Sequence, residues 1–497
     1  MRELLGEKDK RRLCLFETIA LFPGITIDEL ASKLNLSTIQ VQTDIGFYHG
    51  ELDPVKIVVQ KNKECYLDIP SEASIKLVYR FLLKNNLNFR VLESVFLNKY
   101  ESYEQLAKEL FISQATLKRA LTMINQELKP YEMKIKSRPL GIYGKEENIR
   151  GFYSFYFQEC YPDLMYSFDP AAIKIAESLI DTFIQEFSND KNNFASRNRL
   201  RLQVVVALYR EQRGYVGKGA TTLQPMIQKR IANSIQRFKY KEIFQLYVGT
   251  PLSETVYQSL FHHFFNDHFA FSEEDFKERL VKQPENQDLF QGVEELITGV
   301  SRELALPVEN LNAFTLKIYN VLAITYQMTI TPYVLHQNRE AFTLLSVPLN
   351  GKILRTVKEL FYQYLPEVAQ RNEAYFYEVF YLLIIHWPDF YELLIQAIPA
   401  CKIGLFFISD LEHMSYVKSH LIFLYGKKIE VDILSVNELR ELPSACKDKD
   451  VLLCNFILDD HVKLPIPHVS IVDVLSQDDT DRIEKIIDRI YYRNMHE

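Results

Sequence analysis

Residues 102–113 read SYEQLAKELFIS, and residues 26–37, a constant 76 positions earlier, read TIDELASKLNLS. Both copies begin with a hydroxyl residue that is followed three positions later by Glu or Gln, the capping-box spacing of a helix start. Both then place Leu-Ala and a further Leu at helical spacing, so one face of a short helix is apolar. Each copy ends with an apolar residue and Ser, which is suited to cap a second helix. The chain therefore contains an internal repeat.

The second helix of each copy has an apolar stripe at positions i, i+4 and i+7, formed by Val41, Ile45 and Tyr48 and by Leu117, Leu121 and Ile124. A short helix, a tight turn and a second helix form a helix-turn-helix, whose second helix enters the major groove of DNA. The exposed start of the second helix offers side chains that hydrogen-bond to base edges or phosphates. These candidate DNA contacts are Gln114, Thr116, Lys118 and Arg119, then Thr38, Gln40, Gln42 and Thr43.

A strand pair is predicted after the first copy, because residues 54–69 (PVKIVVQKNKECYLDI) read as strand, polar turn and strand. This pattern indicates a winged module. Around the second copy, residues 111–138 contain six Lys and Arg against two Glu, and we expect Lys134, Lys136 and Arg138 to hold phosphates. The alternative is a pair of helical hairpins in an α-bundle, which has the same apolar spacing.

The composition is that of a globular protein with several domains. Its 497 residues are 47% hydrophobic and 25% charged, and Gly and Pro together number only 35, which predicts a mainly helical chain. Residues 1–150 carry 23 Lys and Arg against 20 Asp and Glu, whereas the whole chain has a net charge of −7. A mildly basic head on an acidic body suits a DNA-binding regulator. The six cysteines form no CxxC pair, and the start has no apolar segment, so we expect a cytoplasmic protein without a membrane span.

The middle of the chain is predicted to be helical. Apolar periodicity favours helices at Leu200–Arg213, Asn310–Met328, Leu354–Leu365 and Glu373–His386. Polar breaks near residues 283–287 and 398–400 divide this region into two helical units. From residue 402 onward, short apolar strands at 403–408, 429–434, 451–457 and 468–472 alternate with helical segments, which indicates a small α/β domain with a parallel sheet.

The segments Gln105–Ala107, Phe111–Ser113 and Thr116–Arg119, followed by Asn125 and residues 142–150 (IYGKEENIR), resemble the Mga-type transcriptional regulators. The resemblance is most specific over residues 100–152. It implies a multidomain, mainly α-helical chain that ends in an α/β domain. The implied parts are two winged helix-turn-helix modules (1–70 and 71–150), two helical PTS-regulation-domain-like units, or PRDs (151–285 and 286–400), and a domain like phosphotransferase enzyme IIB (401–497).

PRDs imply reversible phosphorylation of His by the sugar phosphotransferase system, since a neutral imidazole is a good nucleophile. A His in aromatic surroundings is more often a packing residue, and at Gly214-Tyr215 the chain departs from the pattern, which often has His there. His262 and His268 are six positions apart with no Cys nearby, so we expect no metal and no cofactor. The candidate phosphorylation sites are His262, His263, His268, His336 and His386.

Catalysis is not expected. A working enzyme IIB has a nucleophilic Cys in a phosphate-binding loop after its first strand, whereas residues 409–415 here read SDLEHMS, with two carboxylates and no Cys or Gly. No nucleotide-binding or hydrolase motif occurs. The expected partners are double-stranded DNA, a second copy of the chain and phosphocarrier proteins. The two alternatives are an RNA-binding antiterminator with paired PRDs and a catalytic phosphotransferase component.

Overall fold

A computed structural model describes residues 1–48, 52–97, 102–161, 168–187, 194–326, 331, 333–346, 351–458, 463–472 and 474–496. The chain divides into two compact units. The first contains residues 1–301, 308–340 and 361–379. The second contains residues 302–307, 341–360 and 380–497.

The first repeat forms a winged helix-turn-helix. Its three strands make an antiparallel sheet in the order β1-β3-β2, so the strand pair predicted for residues 54–69 is present. The elements are α1 (Gly6–Leu21), β1 (Ile25–Thr26), α2 (Ile27–Leu34), α3 (Thr38–Tyr48), β2 (Lys56–Val59) and β3 (Glu64–Asp68), preceded by a 3₁₀ turn at Arg2–Leu5.

The second repeat forms another module of the same kind, with a two-stranded antiparallel wing. In both copies the predicted apolar stripe of the second helix is buried. The elements are α4 (Lys76–Asn85), α5 (Leu87–Leu97), α6 (Tyr103–Glu109), α7 (Gln114–Leu128), a 3₁₀ turn (Lys129–Tyr131), β4 (Met133–Ser137), β5 (Leu140–Gly144) and α8 (Glu146–Cys160).

The turn inside each helix-turn-helix has the same backbone geometry. Asn35 and Phe111, again 76 positions apart, adopt left-handed conformations with φ of 54° and 55°. In the first copy the N–H of Leu36 bonds to the carbonyl of Ala31, and in the second the N–H of Ile112 bonds to that of Ala107. These are Schellman turns, which end a helix and let the next one begin at once.

Helices make up the rest of the chain as far as residue 396. The helices predicted at 200–213, 310–328, 354–365 and 373–386 are present as Phe194–Glu211, Leu311–Tyr326, Lys352–Tyr364 and Ala374–His386, although residues 327 and 328 lie outside the described residues. The elements are α9 (Pro170–Phe187), α10 (Phe194–Glu211), α11 (Pro225–Arg237), α12 (Lys241–Val248), α13 (Glu254–Leu260), α14 (Glu273–Arg279), a 3₁₀ turn (Leu280–Lys282), α15 (Pro284–Leu304), α16 (Leu311–Tyr326), α17 (Asn338–Ser346), α18 (Lys352–Tyr364), α19 (Pro366–Arg371), α20 (Ala374–His386) and α21 (Pro388–Gln396).

Two residues that interrupt the helical pattern of the sequence, Gly214 and Pro284, lie at helix ends. Gly214, with φ of +77°, ends α10 in a further Schellman turn, as its position after a helical pattern predicts. The polar segment 283–287, expected as a break, contains the boundary between the 3₁₀ turn 280–282 and α15. Pro284 is the first residue of that helix, a position where its missing N–H costs nothing.

One apolar core joins both winged modules to the helices that follow. Buried side chains from Leu4 to Phe265, together with Val334 and Leu335, form a single contiguous cluster. The two modules are therefore parts of the first compact unit.

The last hundred residues form the predicted parallel sheet, with strand order β7-β6-β8-β9. Side chains of α22 and α24 pack on one face of the sheet, and those of α23 pack on the other. The elements are β6 (Cys401–Phe406), α22 (Leu411–Tyr425), a 3₁₀ turn (Gly426–Lys428), β7 (Ile429–Ile433), a 3₁₀ turn (Leu439–Glu441), α23 (Leu442–Ala445), β8 (Val451–Cys454), β9 (His468–Ser470) and α24 (Gln477–His496).

Candidate nucleic-acid interface

The start of α7 is an exposed polar surface on a buried apolar base. Ser113 caps the helix, since its Oγ accepts a hydrogen bond of 3.1 Å from the N–H of Thr116. Leu117, Leu121 and Ile124 are buried on the inner face, which fixes the direction of the outer face. On that outer face Gln114, Lys118 and Arg119 are exposed, and Thr116 is half-buried.

A groove of about 720 Å³ separates α7 from the tip of the second wing. Gln114, Lys118 and Thr122 recur every four residues and line one side, and Arg138 and Pro139 line the wing side. The structure therefore brings Gln114, Lys118 and Arg138 to one groove.

Arg119 is not one of the residues that line this groove. Its Nη2 is 3.4 Å from the hydroxyl of Thr116, one helical turn earlier. The predicted contacts of α7 therefore divide into two groups, Gln114 with Lys118 and Thr116 with Arg119.

The outer face of the second wing is cationic. Along β4, Met133 and Ile135 are buried, whereas Lys134 and Lys136 are exposed, which is the alternation of a half-buried strand. The ammonium of Lys136 lies 4.5 Å from the centre of the Tyr143 ring on the neighbouring strand, a distance that allows a cation–π contact. Both lysines are thus presented to solvent on the same strand face.

Asn125 joins the wing to α7, a role that the sequence patterns did not reveal. Its Nδ2 donates to the carbonyl of Ile135 at 3.0 Å, and its Oδ1 accepts from the N–H of Ile135 at 2.7 Å. The side chain thereby satisfies both backbone groups of a residue in the middle of β4. The only sequence signal was a polar residue beside the buried stripe of α7.

The predicted contacts of the first module are exposed, but some of their polar atoms are already used. Thr38, Gln40, Gln42 and Thr43 are all exposed on α3. The Oε1 of Gln40 accepts from the N–H and the hydroxyl of Ser37, and the hydroxyl of Thr43 donates to the carbonyl of Ile39. The Oε1 of Gln40 is therefore used to cap the N-terminus of α3.

Buried charge holds α3 against α1. Arg11 donates to the carboxylate of Asp44 at 2.6 Å, and Arg12 donates to it at 3.3 Å. Burial opposes ionisation of Asp44, but the hydrogen bonds and charge of the two arginines outweigh it, so the pKa of Asp44 is lowered. These ion pairs hold α3 in a fixed orientation against α1, and so fix the direction of its exposed face.

Two of the five candidate phosphorylation sites are buried in this conformation. His262 and His263 are only 2% and 5% exposed, and both lie in a turn after α13. Burial, followed by the charge of Arg150, lowers the pKa of His263 to about 4, and burial lowers the pKa of His262 well below its ordinary value.

The other three histidines have different surroundings. The Nδ1 of His268 lies 2.7 Å from the Oδ1 of Asn286. His336 is half-buried, with its ring centre 4.3 Å from that of Tyr79. His386 is exposed at the last position of α20.

Asp410 lies after β6 and caps α22, in the segment predicted to correspond to the phosphate-binding loop of an enzyme IIB. Residues 411–415, expected as part of a loop, form the first turn of α22, and the carboxylate of Asp410 accepts from the N–H of His413 at 3.0 Å. Cys401 and Cys454 are buried in β6 and β8. Across the described residues, no His, Cys, Asp and Glu cluster has metal-site geometry, and no helix is long and apolar enough to span a bilayer.

Comparison with known proteins identifies the second module. Residues 71–157 match the family of Mga helix-turn-helix domains. A protein of Streptococcus pneumoniae serotype 4 described as a trans-acting regulator is 22% identical over 484 residues, covering 92% of this chain and 93% of that one. The anthrax toxin expression trans-acting positive regulator of Bacillus anthracis is 30% identical over 128 residues, 26% of this chain and 27% of that protein.

A third relative, the capsule synthesis positive regulator AcpB of Bacillus anthracis, is 24% identical over 212 residues, or 42% of this chain and 44% of its own length. Residues 71–157 are therefore similar to Mga helix-turn-helix domains, and over nearly its whole length the chain is similar to a trans-acting regulator of Streptococcus pneumoniae.

Proposed function

We propose that this chain is a DNA-binding transcriptional regulator of the Mga type, and that α7 of the second module lies in the major groove. The observation that carries the proposal is the groove in which Gln114 and Lys118 of α7 face Arg138 of the wing. A recognition helix with a cationic wing beside it matches the shape and charge of a DNA groove flanked by phosphates.

The residues have separate roles in this proposal. Gln114, Thr116, Lys118 and Arg119 contact base edges and adjacent phosphates from α7. Lys134, Lys136 and Arg138 hold phosphates from the wing, where a charge without a fixed partner gives affinity but little sequence preference. Thr38, Gln42 and Thr43 of the first module make secondary contacts, and Gln40 contributes only through its free amide nitrogen.

A binding titration tests this proposal. The probe is a fluorescent duplex of mixed sequence, about 40 base pairs long, which accommodates two half-sites. We expect Lys118→Ala/Arg119→Ala to weaken binding by about tenfold or more, because two phosphate or base contacts are lost. The matched control is Lys229→Ala/Arg230→Ala on α11, which removes the same charges away from both modules. Equal weakening by the two variants would refute the proposal.

We also propose that the chain acts as a homo-oligomer through its C-terminal α/β unit, which we propose to be the enzyme-IIB-like domain. Supporting this, α22 exposes Tyr416 and Phe423, the latter by 82%, and their spacing of seven residues places both on one face of the helix. Apolar side chains exposed together are typical of a protein interface. Dimeric helix-turn-helix proteins bind two half-sites, so a dimer also suits the DNA-binding proposal.

Light scattering after size exclusion measures this association. We expect Tyr416→Glu/Phe423→Glu to convert the oligomer to monomer, because each carboxylate would have to be buried without a partner. The control Leu246→Glu changes a side chain that is 88% exposed on α12 and should leave the mass unchanged. A monomeric wild type would exclude this part of the proposal.

Regulation is proposed to act through the helical region, as PRD-like units at 151–285 and 286–400. Of the candidate histidines, exposed His386 and half-buried His268 and His336 are the ones a phosphocarrier protein would reach in this conformation. Incubation with a purified phosphorylated phosphocarrier, followed by mass spectrometry, should place phosphate at one of these three. Transfer to buried His262 or His263 would require a different conformation. If no phosphate is transferred at all, the chain is not regulated as phosphorylated PRDs are.

A further inference from the structure

A cavity of about 740 Å³ lies inside the first compact unit, away from the groove beside α7. It is bounded by α4, α8, α9, α10 and α16, by residues 333–339 and by the start of α20. Small-molecule sites in proteins are usually between about 300 and 1,000 Å³. The cavity is therefore large enough for a drug-sized organic molecule.

One part of the cavity wall is aromatic. Such a wall favours a flat or apolar molecular body, because aromatic rings bury large areas and stack on other rings. The aromatic wall consists of Phe155, Phe183, Phe187, Phe264, Phe269 and Phe271.

The rest of the wall has an excess of positive charge. Four cations and two carboxylates, Glu159 and Glu378, line the cavity. Arg339 is paired with Glu378 at 3.2 Å, and Arg197 is paired with Glu177 and Asp181 outside the cavity lining. Lys76 and Arg199 are exposed at the edge of the cavity, and neither side chain has a hydrogen-bond or ion-pair partner within the part of the chain that the structure describes.

A buried imidazole provides a polar contact. His263 lines the cavity, is only 5% exposed, and its Nε2 has no hydrogen-bond partner. Buried polar groups are nearly always hydrogen-bonded, so an orphan atom on a cavity wall is a group that a bound water or a ligand would complete. A neutral imidazole offers one donor and one acceptor.

We propose that this cavity is a binding site for a small aromatic organic anion, whose ring packs on the phenylalanines and whose carboxylate, sulfonate or phosphate group is held by Lys76 and Arg199. The site goes beyond DNA binding. Lys76 lies in α4, within the second winged module, whereas Arg199 lies in α10 of the helical region. A bound anion would therefore link the DNA-binding part to the helices that follow it.

Two related dyes test the proposal on the full chain. 8-Anilinonaphthalene-1-sulfonate carries an aromatic body and one sulfonate, and N-phenyl-1-naphthylamine has the same body without the charge. We expect the sulfonate dye to bind saturably at one site per chain and more tightly than the neutral dye. Fluorescence titration measures both affinities.

Three variants give the decisive comparison. Lys76→Glu/Arg199→Glu should weaken the sulfonate dye by about tenfold or more, corresponding to about 1.4 kcal/mol, and leave the neutral dye unchanged. Gln203→Trp, which fills the cavity from α10, should abolish binding of both dyes. Lys229→Glu/Lys239→Glu, the control outside the cavity, should bind like the wild type. Melting curves and circular dichroism verify that each variant is folded.

Other results would overturn the proposal. These are a wild type without saturable binding of the sulfonate dye, equal affinity for the two dyes, or a folded Gln203→Trp variant that binds like the wild type. The same holds if the charge-reversal variant and its control weaken binding equally.

Discussion

Phe111 is a large residue in a backbone conformation that favours glycine or asparagine. It occupies the left-handed position of the second helix-turn-helix turn, where the first copy has Asn35. Its side chain is 91% exposed, so packing within the chain does not compensate for the backbone cost. An L-residue with a Cβ loses about 1 kcal/mol there, and Asn loses less because its side chain bonds locally.

Exchanging the two residues tests this reading. Phe111→Asn should raise the free energy of unfolding of the first unit by about 0.5–1 kcal/mol, and Asn35→Phe should lower it by a similar amount. Urea unfolding followed by circular dichroism measures both changes. If Phe111→Asn destabilises the chain instead, Phe111 makes a contact that outweighs its backbone strain.

For single residues, the sequence predicted which side chains are buried or exposed better than it predicted their hydrogen-bond partners. The spacing of Leu117, Leu121 and Ile124 correctly predicted which face of α7 is buried, because helical periodicity depends on local sequence alone. The bridge from Asn125 to Ile135 joins two elements whose relative position depends on the fold. The burial of His263 agrees with its aromatic neighbours Phe264 and Phe265 in the sequence, which favour a packing residue.

At the scale of elements, the second wing allows a specific prediction about DNA binding. Lys134→Ala/Lys136→Ala removes two exposed cations from one strand face and leaves Met133 and Ile135 in the core. We expect uniformly weaker binding to all duplex sequences, and a slope of log affinity against log salt that is smaller by about 2. Sequence preference should not change, since the wing reads phosphates.

Binding measured over a salt series with two unrelated duplexes provides the data. The control Lys56→Ala/Lys61→Ala removes two charges from the first wing. A changed sequence preference in the Lys134→Ala/Lys136→Ala variant would mean that the second wing contacts base edges.

In the whole molecule, a buried ion network connects the second wing to the helical region. Arg150 of α8 is fully buried and donates to Glu146 and Glu211 at 2.9 Å, and also to the carbonyl of Ser259 at 2.6 Å. Arg210 binds Glu146 and the carbonyl of Ile142 in β5. The network therefore fixes the wing strand to α10.

Replacing Arg150 should lower the free energy of unfolding by a large amount. Arg150→Met retains much of the volume but leaves Glu211 buried without its cationic partner, so we expect a loss of about 3–5 kcal/mol in unfolding free energy. The control Arg237→Met breaks an ion pair whose arginine is 55% exposed and should cost less than about 1 kcal/mol. Equal losses in chemical unfolding would contradict a structural role for the network.

The sequence could not predict this network. Arg150 lies 61 positions from Glu211 and 109 from Ser259, so their contact depends on how α8, α10 and α13 pack together. By contrast, the two winged modules and the parallel C-terminal sheet were predictable, because caps, apolar periodicity and short apolar strands are local signals. Polar contacts between distant segments require the folded chain.

Site-specific photocrosslinking shows directly whether α7 lies against DNA. The photoreactive residue p-benzoylphenylalanine replaces Lys118 in one protein and Lys229 of α11 in another, and each full-length protein is irradiated with a labelled mixed-sequence duplex. We predict a protein–DNA crosslink from position 118 and none from position 229. A crosslink from position 229 alone, or none from position 118 while the duplex is bound, would show that DNA binds elsewhere on the chain.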